Sequence, residues 1–540
     1  MKWFSFQLPF LLFLYFSQVI CFEKLENHED SIIYSTSVMS MVKILELEES
    51  LKTNLEVYVN EMQHKLDLIK VFQESIKRDK FKTLEEKEEY MGNPLNSYPM
   101  LRRLNQDWPK WLRYLKLGIS SKNIKEMESL LQSSPSNEDL QVALKGMSRI
   151  EQFYNQHAED LTKGFLLGKK FDSQLNSPDC VALGDFYYNQ TQYSDSTHWY
   201  RMALRLHKFT EGKIYEKVLH LKRKRIYKKY AKAMVQETLK LDKKKAIAKN
   251  IPELEAMAKQ VAREDNYQNI KRTIDELLTG KERIFQEEAA RNKRKPSNLE
   301  LGCRGKWPKK PSPTLTCRYV RETHDFLKLA PLKMEFLNMQ PLIVLYHDVL
   351  YEGEFKSMRD IAIFNATMGD GWTYVDFDKK GKPKRQDRVV KMITFQGTTA
   401  EFTLRINRRI ADMTGLEMNE NMALHLTNYG LGGHFGKHVD YVELAKRPPN
   451  FFGDLGGDRI ATALLYASDV PLGGTTVFTK LKLSIEPKKG SALIWFNLNN
   501  AGDPDPMSEH SACPVVLGSR WTISKWIHER QQLFKKPCFA

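Results

Sequence analysis

Between residues 31 and 90 apolar side chains recur at spacings of three and four: Leu51, Leu55, Tyr58, Met62, Leu66, Ile69, Phe72 and Ile76. On a helix of about 3.6 residues per turn they share one stripe, with charged residues elsewhere, so the segment predicts a long amphipathic helix. The near-heptad spacing suits pairing with another helix, in a hairpin within the chain or in a second subunit. Asn93-Pro94 breaks the run, and shorter helices are expected to about Gly164. Ser177-Pro178-Asp179 then reads as a helix start. Cys180-Val-Ala-Leu183-Gly184-Asp-Phe-Tyr187 has the spacing of the first helix of a tetratricopeptide repeat, and Tyr193, Trp199 and Ala203 continue into a second helix. Tyr187, Tyr188 and Trp199 are either core aromatics or the lining of a groove for extended proline-rich peptide.

Residues 208–247 are crowded with Lys and Arg, including Lys222-Arg-Lys-Arg225, and read as a solvated helix. The Lys/Pro-rich stretch from Arg291 to Pro313 reads as a linker. Beyond residue 330 glycines become frequent and the period drops to two. Ala423–Tyr429, Arg459–Tyr466, Ser491–Asn497 and Trp521–His528 are the expected strands. Helices first and strands afterwards imply separate domains.

A chain of 540 residues is too long for one core, so two to four domains are expected. With 41% hydrophobic and 28% charged residues it is not a disordered chain. The net charge of +16 would suit an acidic partner, but solvated basic helices account for it. Lys2 followed by an apolar run from Leu8 to Ile20, interrupted by Ser17 and Gln18, matches a signal peptide over residues 1–21 and is short for a membrane span. The expected compartment is the secretory pathway, with no membrane span and no nucleic-acid partner. Six cysteines are present, and Cys21 would leave with the signal. Nearness in sequence suggests disulfides Cys303–Cys317 and Cys513–Cys538, leaving Cys180 as a thiol. No Cys-x-x-Cys supports a zinc knuckle. Asn189-Gln-Thr191 and Asn365-Ala-Thr367 are glycosylation sequons.

The chemistry concentrates in Tyr429-Gly-Leu-Gly-Gly-His-Phe-Gly-Lys-His438-Val-Asp440. Residues two apart on an extended strand face the same side, so His438 and Asp440 present an imidazole and a carboxylate together. A third ligand from a distant strand would complete a two-histidine, one-carboxylate set, which suits non-haem Fe(II) and leaves one face of the metal open. His510 follows about 70 residues on, just before a run of strands. His434 and His438 stand four apart, as helical zinc ligands do, but Gly432, Gly433 and Gly436 disfavour a helix there.

At this point the chain resembles the α subunit of collagen prolyl 4-hydroxylase. The blocks that carry the resemblance are Tyr429…His438-x-Asp440, Gly456-Gly457-Asp458-Arg459-Ile-Ala-Thr, Gly473-Gly474-Thr475-Thr476-Val-Phe, Pro487-Lys-Lys-Gly490-Ser-Ala, His510-x-x-Cys513-Pro and Lys525-Trp526-Ile-His528-Glu-Arg, in family order. Upstream, Asn93-Pro-Leu-Asn, Arg103-Leu-Asn-Gln-Asp-Trp108 and the Ser177–Ala203 repeat resemble the subunit's dimerisation and peptide-binding regions.

The resemblance implies a multidomain α plus β chain: signal peptide 1–21, helical dimerisation domain 22–165 (coiled-coil-like), tetratricopeptide-like peptide-binding domain 166–280, linker 281–325, and dioxygenase domain 326–540. The last would be a double-stranded β-helix, a jelly-roll cousin. His438, Asp440 and His510 would bind Fe(II). Arg520, Tyr429 and Thr476 would hold 2-oxoglutarate, and Arg459, Trp526 and His528 would meet the substrate peptide. The same two disulfide pairs are implied. So are O2 and L-ascorbate, a protein disulfide isomerase β subunit in an α2β2 tetramer, a collagen-like proline-rich substrate, and residence in the lumen of the endoplasmic reticulum. The implied reaction is procollagen-proline 4-hydroxylation with decarboxylation of 2-oxoglutarate to succinate.

Three departures qualify it. Arg520 stands where the family usually has lysine; arginine is always charged and can take a carboxylate bidentately. Lys222–Arg225 occupies a stretch where the family tends to show tyrosines, and Arg388-Val-Val-Lys391 is all that remains of a substrate loop. These motivate two alternatives: a diverged relative acting on another prolyl or lysyl substrate, or a non-catalytic subunit that binds peptide or partners.

Overall fold

The computed structural model describes residues 34–76, 102–118, 121–207, 218–245, 295–307, 316–367, 390–395, 401–418, 423–443 and 456–535, together with the single residues 83, 216, 268, 269, 272 and 447. The signal peptide, Asn93-Pro94, residues 281–294 and 308–315 of the expected linker, Arg388 and Cys538 lie outside them.

The long helix predicted from the three-four spacing runs from Val38 to Ser75, with the Ser37 hydroxyl accepting the Ser40 N–H at its N-terminus. Phe72 stacks on Trp111 at 4.5 Å and meets Trp108 edge-on, while Leu55, Met62 and Leu66 remain exposed. The helix Asn137–Tyr154 starts from a Ser136–Asp139 capping box. Ser177–Asn189 and Tyr193–Leu206 form the expected helix pair, capped by Asn176. Arg223–Lys245 packs beside them. Their shared core includes Leu183, Tyr187, Trp199, Tyr200, Ile226 and Met234, so the three candidate groove aromatics divide: Tyr187 and Trp199 are buried and Tyr188 is half-buried. Asn189 is exposed at its helix end, and Asn365 falls within the helix Glu352–Thr367. Among the described residues no helix is long and apolar enough to cross a membrane.

The C-terminal half is built on an eight-stranded sheet. Its spatial order is Cys317–Val320, Leu332–Met339, Leu342–His347, Ala492–Phe496, Arg459–Tyr466, Trp521–His528, Leu424–Tyr429 and Val390–Phe395. A four-stranded sheet runs Leu483–Ile485, Thr476–Phe478, His510–Ala512 and Phe435–His438. Period-two alternation sorts the large sheet's side chains. Leu426, Ala461, Ala463, Leu465, Ile523 and Ile527 join Phe402, Ile406 and Ile410 of the helix Glu401–Thr414 in one core. The residues between them, Thr427, Thr462, Leu464, Thr522, Ser524 and Trp526, face a cavity whose other wall is the small sheet.

Two expectations are corrected. The strand carrying His438 ends at that residue, and Asp440 sits in the bend beyond it. The disulfide joins Cys303 to Cys513, with Cα atoms 5.6 Å apart, not Cys303 to Cys317. The helix Asn298–Cys303 packs on the small sheet, where the Ser484 hydroxyl donates to the Gly302 carbonyl, and this sets Cys303 against Cys513 in a cluster with Tyr154 and Val477. Cys317 begins an edge strand of the other sheet and is an exposed thiol, so closeness in sequence did not become closeness in space. Cys513 is thereby unavailable to Cys538. Cys180 is a buried free thiol, as expected.

Candidate active site

His438 and His510 are cross-strand partners in the small sheet, an arrangement that brings side chains about 70 residues apart in sequence onto one face. Asp440 lies between them: Oδ1 is 3.7 Å from His438 Nε2 and Oδ2 is 3.8 Å from His510 Nε2. One ligand atom from each of the three residues lies within 4.8 Å of the others. The Nδ1 atoms of His438 and His510 meet the Gly436 and Ser508 carbonyls at 2.8 and 3.0 Å. As donors to those carbonyls they leave the lone pair on Nε2, the tautomer a metal ligand needs.

Asp440 is buried. Burial would raise its pKa, but His510, His438, the Thr462 hydroxyl and Arg459 together hold it below the usual carboxylate range. Thr462 Oγ1 donates to Asp440 Oδ2 at 2.7 Å, and Asn497 Nδ2 donates to Thr462 Oγ1 at 3.0 Å. Neither residue was assigned a role from the sequence, although Thr462 closes the Gly456–Thr462 block; the signal was a threonine facing inward within the apolar run Ile460–Tyr466.

Arg520 is 1% exposed. Its Nη2 donates to Thr476 Oγ1 at 3.0 Å and its guanidinium lies 4.4 Å from the Tyr429 ring centre. Tyr466, also missed, donates its hydroxyl to the same Thr476 oxygen. Arg520 Nε and Nη1 are buried and have no partner. A buried cation with two unmatched donors is costly unless an anion meets it, and Arg520, Thr476 and Tyr429 line the same cavity as the His–Asp–His cluster.

Trp526 lines the cavity too, while Arg459 stacks on it at 3.8 Å and donates to the Asp440 carbonyl. His528 is set apart, its Nδ1 at the Gly457 carbonyl, and burial lowers its pKa.

Comparison with known proteins bears on this arrangement. Residues 37–168 match the family model for the prolyl 4-hydroxylase α-subunit N-terminal region, and residues 424–528 match that of the 2OG-Fe(II) oxygenase superfamily. Prolyl 4-hydroxylase subunit alpha-1 of Rattus norvegicus is 32% identical over 533 residues, covering 94% of this chain and 95% of the relative. The Homo sapiens protein of that name is 31% identical over 539 residues, with the same coverage. The chain belongs to the prolyl 4-hydroxylase α-subunit family. Caenorhabditis elegans prolyl 4-hydroxylase subunit alpha-2 is 30% identical, covering 93% of each chain. Among solved structures, the viral collagen prolyl hydroxylase of Paramecium Bursaria Chlorella virus-1 in complex with 2OG aligns with 17% identity and TM-score 0.27, over 34% of this chain and 94% of that one.

Membership of the prolyl 4-hydroxylase family implies Fe(II) and 2-oxoglutarate, and the residues present fit both. Two imidazoles whose Nε2 atoms face the Asp440 carboxylate complete with it a facial set suited to ferrous iron. The unmatched donors of Arg520 fit a carboxylate of the co-substrate.

Proposed function

We propose that this chain is a procollagen-proline 4-dioxygenase α subunit. It hydroxylates C4 of proline in collagen-like polypeptide while 2-oxoglutarate and O2 yield succinate and CO2, with L-ascorbate keeping the metal reduced. The observation that carries the proposal is that the His438–Asp440–His510 cluster shares one cavity with the unmatched guanidinium of Arg520.

Iron, when bound, would let O2 act as the oxidant, with 2-oxoglutarate as the co-reductant that is decarboxylated to succinate; the chain supplies positioning. His438, Asp440 and His510 hold the metal. Arg520 takes the distal carboxylate of 2-oxoglutarate, with Tyr429 and Thr476 as further hydrogen-bonding groups. Arg459 and Trp526 meet the peptide at the rim, with His528 nearby. Val390, Met392, Leu464 and Trp495 form apolar wall that limits water around the reacting carbon.

The finer architecture belongs to this reading as well. The two facing sheets are taken as a double-stranded β-helix over 326–540. The helix pair is taken as a tetratricopeptide-like peptide-binding domain over 166–280, and the long helix as part of a dimerisation domain over 22–165. Protein disulfide isomerase is the proposed β subunit of an α2β2 tetramer in the endoplasmic reticulum. Exposed apolar residues on the long helix support an association role for that region.

The test is incubation of the chain, co-expressed with protein disulfide isomerase, with Fe(II), ascorbate, 2-oxoglutarate and (Pro-Pro-Gly)-type peptide. Succinate and 4-hydroxyproline are expected in equal amounts. Hydroxylysine from a lysine-bearing peptide would move the substrate class, and no succinate with any peptide would leave a binding subunit.

A further inference from the structure

Gly146 is the odd residue in the middle of the helix Asn137–Tyr154. Glycine inside a helix costs roughly 1 kcal/mol relative to alanine, and the reason for it lies in the sheet-rich half. A Cβ at Gly146 would stand 2.3 Å from the Leu431 carbonyl oxygen. The contact is reciprocal: a Cβ on Gly432, whose φ is +57°, would stand 2.4 Å from the Gly146 carbonyl oxygen. Backbone meets backbone here because neither residue has a side chain.

Other contacts fall on the same short loop. Arg149 Nε donates to the Gly432 carbonyl at 3.0 Å. The Leu431 N–H donates to the Ser35 carbonyl at 3.2 Å, and Gly430 passes so close to that oxygen that a Cβ would stand 2.1 Å away. The Tyr154 hydroxyl donates to the Pro514 carbonyl at 2.6 Å, and the next residue, Val515, donates its N–H to the Gly433 carbonyl. The loop joins the end of the strand Leu424–Tyr429 to the strand Phe435–His438. It therefore connects a candidate 2-oxoglutarate contact to a candidate metal ligand. With glycine at 430, 432 and 433 it has little shape of its own.

We propose that Gly146 and Arg149 of the helical region are positioning residues of the active site, holding the 430–434 loop so that Tyr429 and His438 keep their working separation. The proposal rests on the dioxygenase reading. Neither residue touches substrate or metal; both act through the loop backbone.

Gly146→Ala separates this role from a merely structural one, because a structural clash alone would lower stability while leaving the folded protein's Mn(II) affinity and KM for 2-oxoglutarate unchanged. Alanine firms an isolated helix, yet here its methyl must push the Leu431 carbonyl away. The measurement uses the full chain assembled with its β subunit and reads Mn(II) affinity by electron paramagnetic resonance, KM for 2-oxoglutarate, KM for peptide and kcat. Expected for Gly146→Ala is a loss of roughly tenfold or more in Mn(II) affinity and a comparable rise in KM for 2-oxoglutarate, the range seen when groups supporting metal ligands are altered, with KM for peptide little changed. Arg149→Met shifts both in the same direction and Arg149→Lys recovers part of the loss. Gly118→Ala and Gly353→Ala, where a Cβ meets nothing within 4 Å, serve as controls and change neither.

The inference is overturned if Gly146→Ala and Arg149→Met both stay within twofold of the parent in Mn(II) affinity and KM for 2-oxoglutarate. If Gly146→Ala does not assemble, Arg149→Met, which leaves the helix backbone intact, decides alone by the same criterion. If the parent chain binds neither Mn(II) nor 2-oxoglutarate, the dioxygenase reading fails first and takes this inference with it.

Discussion

His438 and His510 stand directly opposite each other in adjacent antiparallel strands, their ring centres 4.2 Å apart. The hydrogen-bonded ladder of the small sheet thus sets the spacing of two of the three candidate ligands, and Asp440 closes the triangle from the bend beyond.

Removal of one ligand is expected to abolish metal binding without unfolding the sheet. Asp440→Asn, His438→Ala and His510→Ala should each lose Mn(II) binding by calorimetry and succinate production to background, while circular dichroism stays that of the parent.

The role of Arg520 is tested by comparing two replacements. Arg520→Met removes charge-assisted hydrogen bonds worth about 1.5–3 kcal/mol. KM for 2-oxoglutarate should therefore rise by roughly 10- to 150-fold, with Mn(II) affinity unchanged. Arg520→Lys restores charge but not the fork, and should recover part of the affinity. Equal KM values in all three proteins would remove Arg520 from the co-substrate site.

Much of this was legible in the sequence because it depends on period. Arg459–Tyr466 and Trp521–His528 are strands with the bounds that alternation suggested, and the helix pair 177–206 followed from the Ser177-Pro178-Asp179 start and the repeat-like spacing after it. Convergence of His510 on His438 was an expectation from motif order, because cross-strand register is a long-range property. What stayed hidden depends on packing between distant segments. Nearness along the chain favoured Cys317 for Cys303, but docking of a six-residue helix on the small sheet chose Cys513. The Asn497–Thr462–Asp440 contacts join separate strands and a bend, and the approach of the Leu431 carbonyl to Gly146 joins distant segments, so neither is encoded by spacing along the chain.

The Asn497–Thr462–Asp440 chain of hydrogen bonds predicts a graded response. Thr462→Val keeps shape but deletes the hydroxyl that donates to Asp440. Metal affinity should drop about 10- to 100-fold, as for other groups that orient a ligand, whereas Thr462→Ser should stay close to the parent. Competition against a chelator of known affinity reads both.

The disulfide makes a chemical prediction. Peptide mapping without reduction should recover a Cys303–Cys513 cross-link, and a thiol reagent should label native Cys317 but not buried Cys180. Cys513→Ser should lower stability by about 2–5 kcal/mol, read by denaturant unfolding.

Glu151 gives a pH dependence. Burial raises its pKa to about 7, despite hydrogen bonds from the Tyr187 hydroxyl and Trp199 Nε1 that favour the charged form. The folded state thus prefers the protonated acid, and its stability relative to the unfolded chain falls as pH climbs from about 4.5 toward 7 and levels off above. The contribution is at most about 3 kcal/mol. Glu151→Gln should flatten that part of the melting-temperature profile between pH 5 and 8; an unchanged slope would assign it to other groups.

The short segment Ser35–Ser40 reaches three parts of the sheet-rich half: Leu431 donates to Ser35, Met39 to the Asn428 side chain, and Lys391 to the Ser40 hydroxyl. These are among the first described residues to leave the ribosome, and their partners emerge some 350 to 400 residues later. Completion of the catalytic centre is therefore a late event in biosynthesis. Until it happens the opening helix has no sheet to dock on, and its apolar side chains are left to local packing or to chaperones.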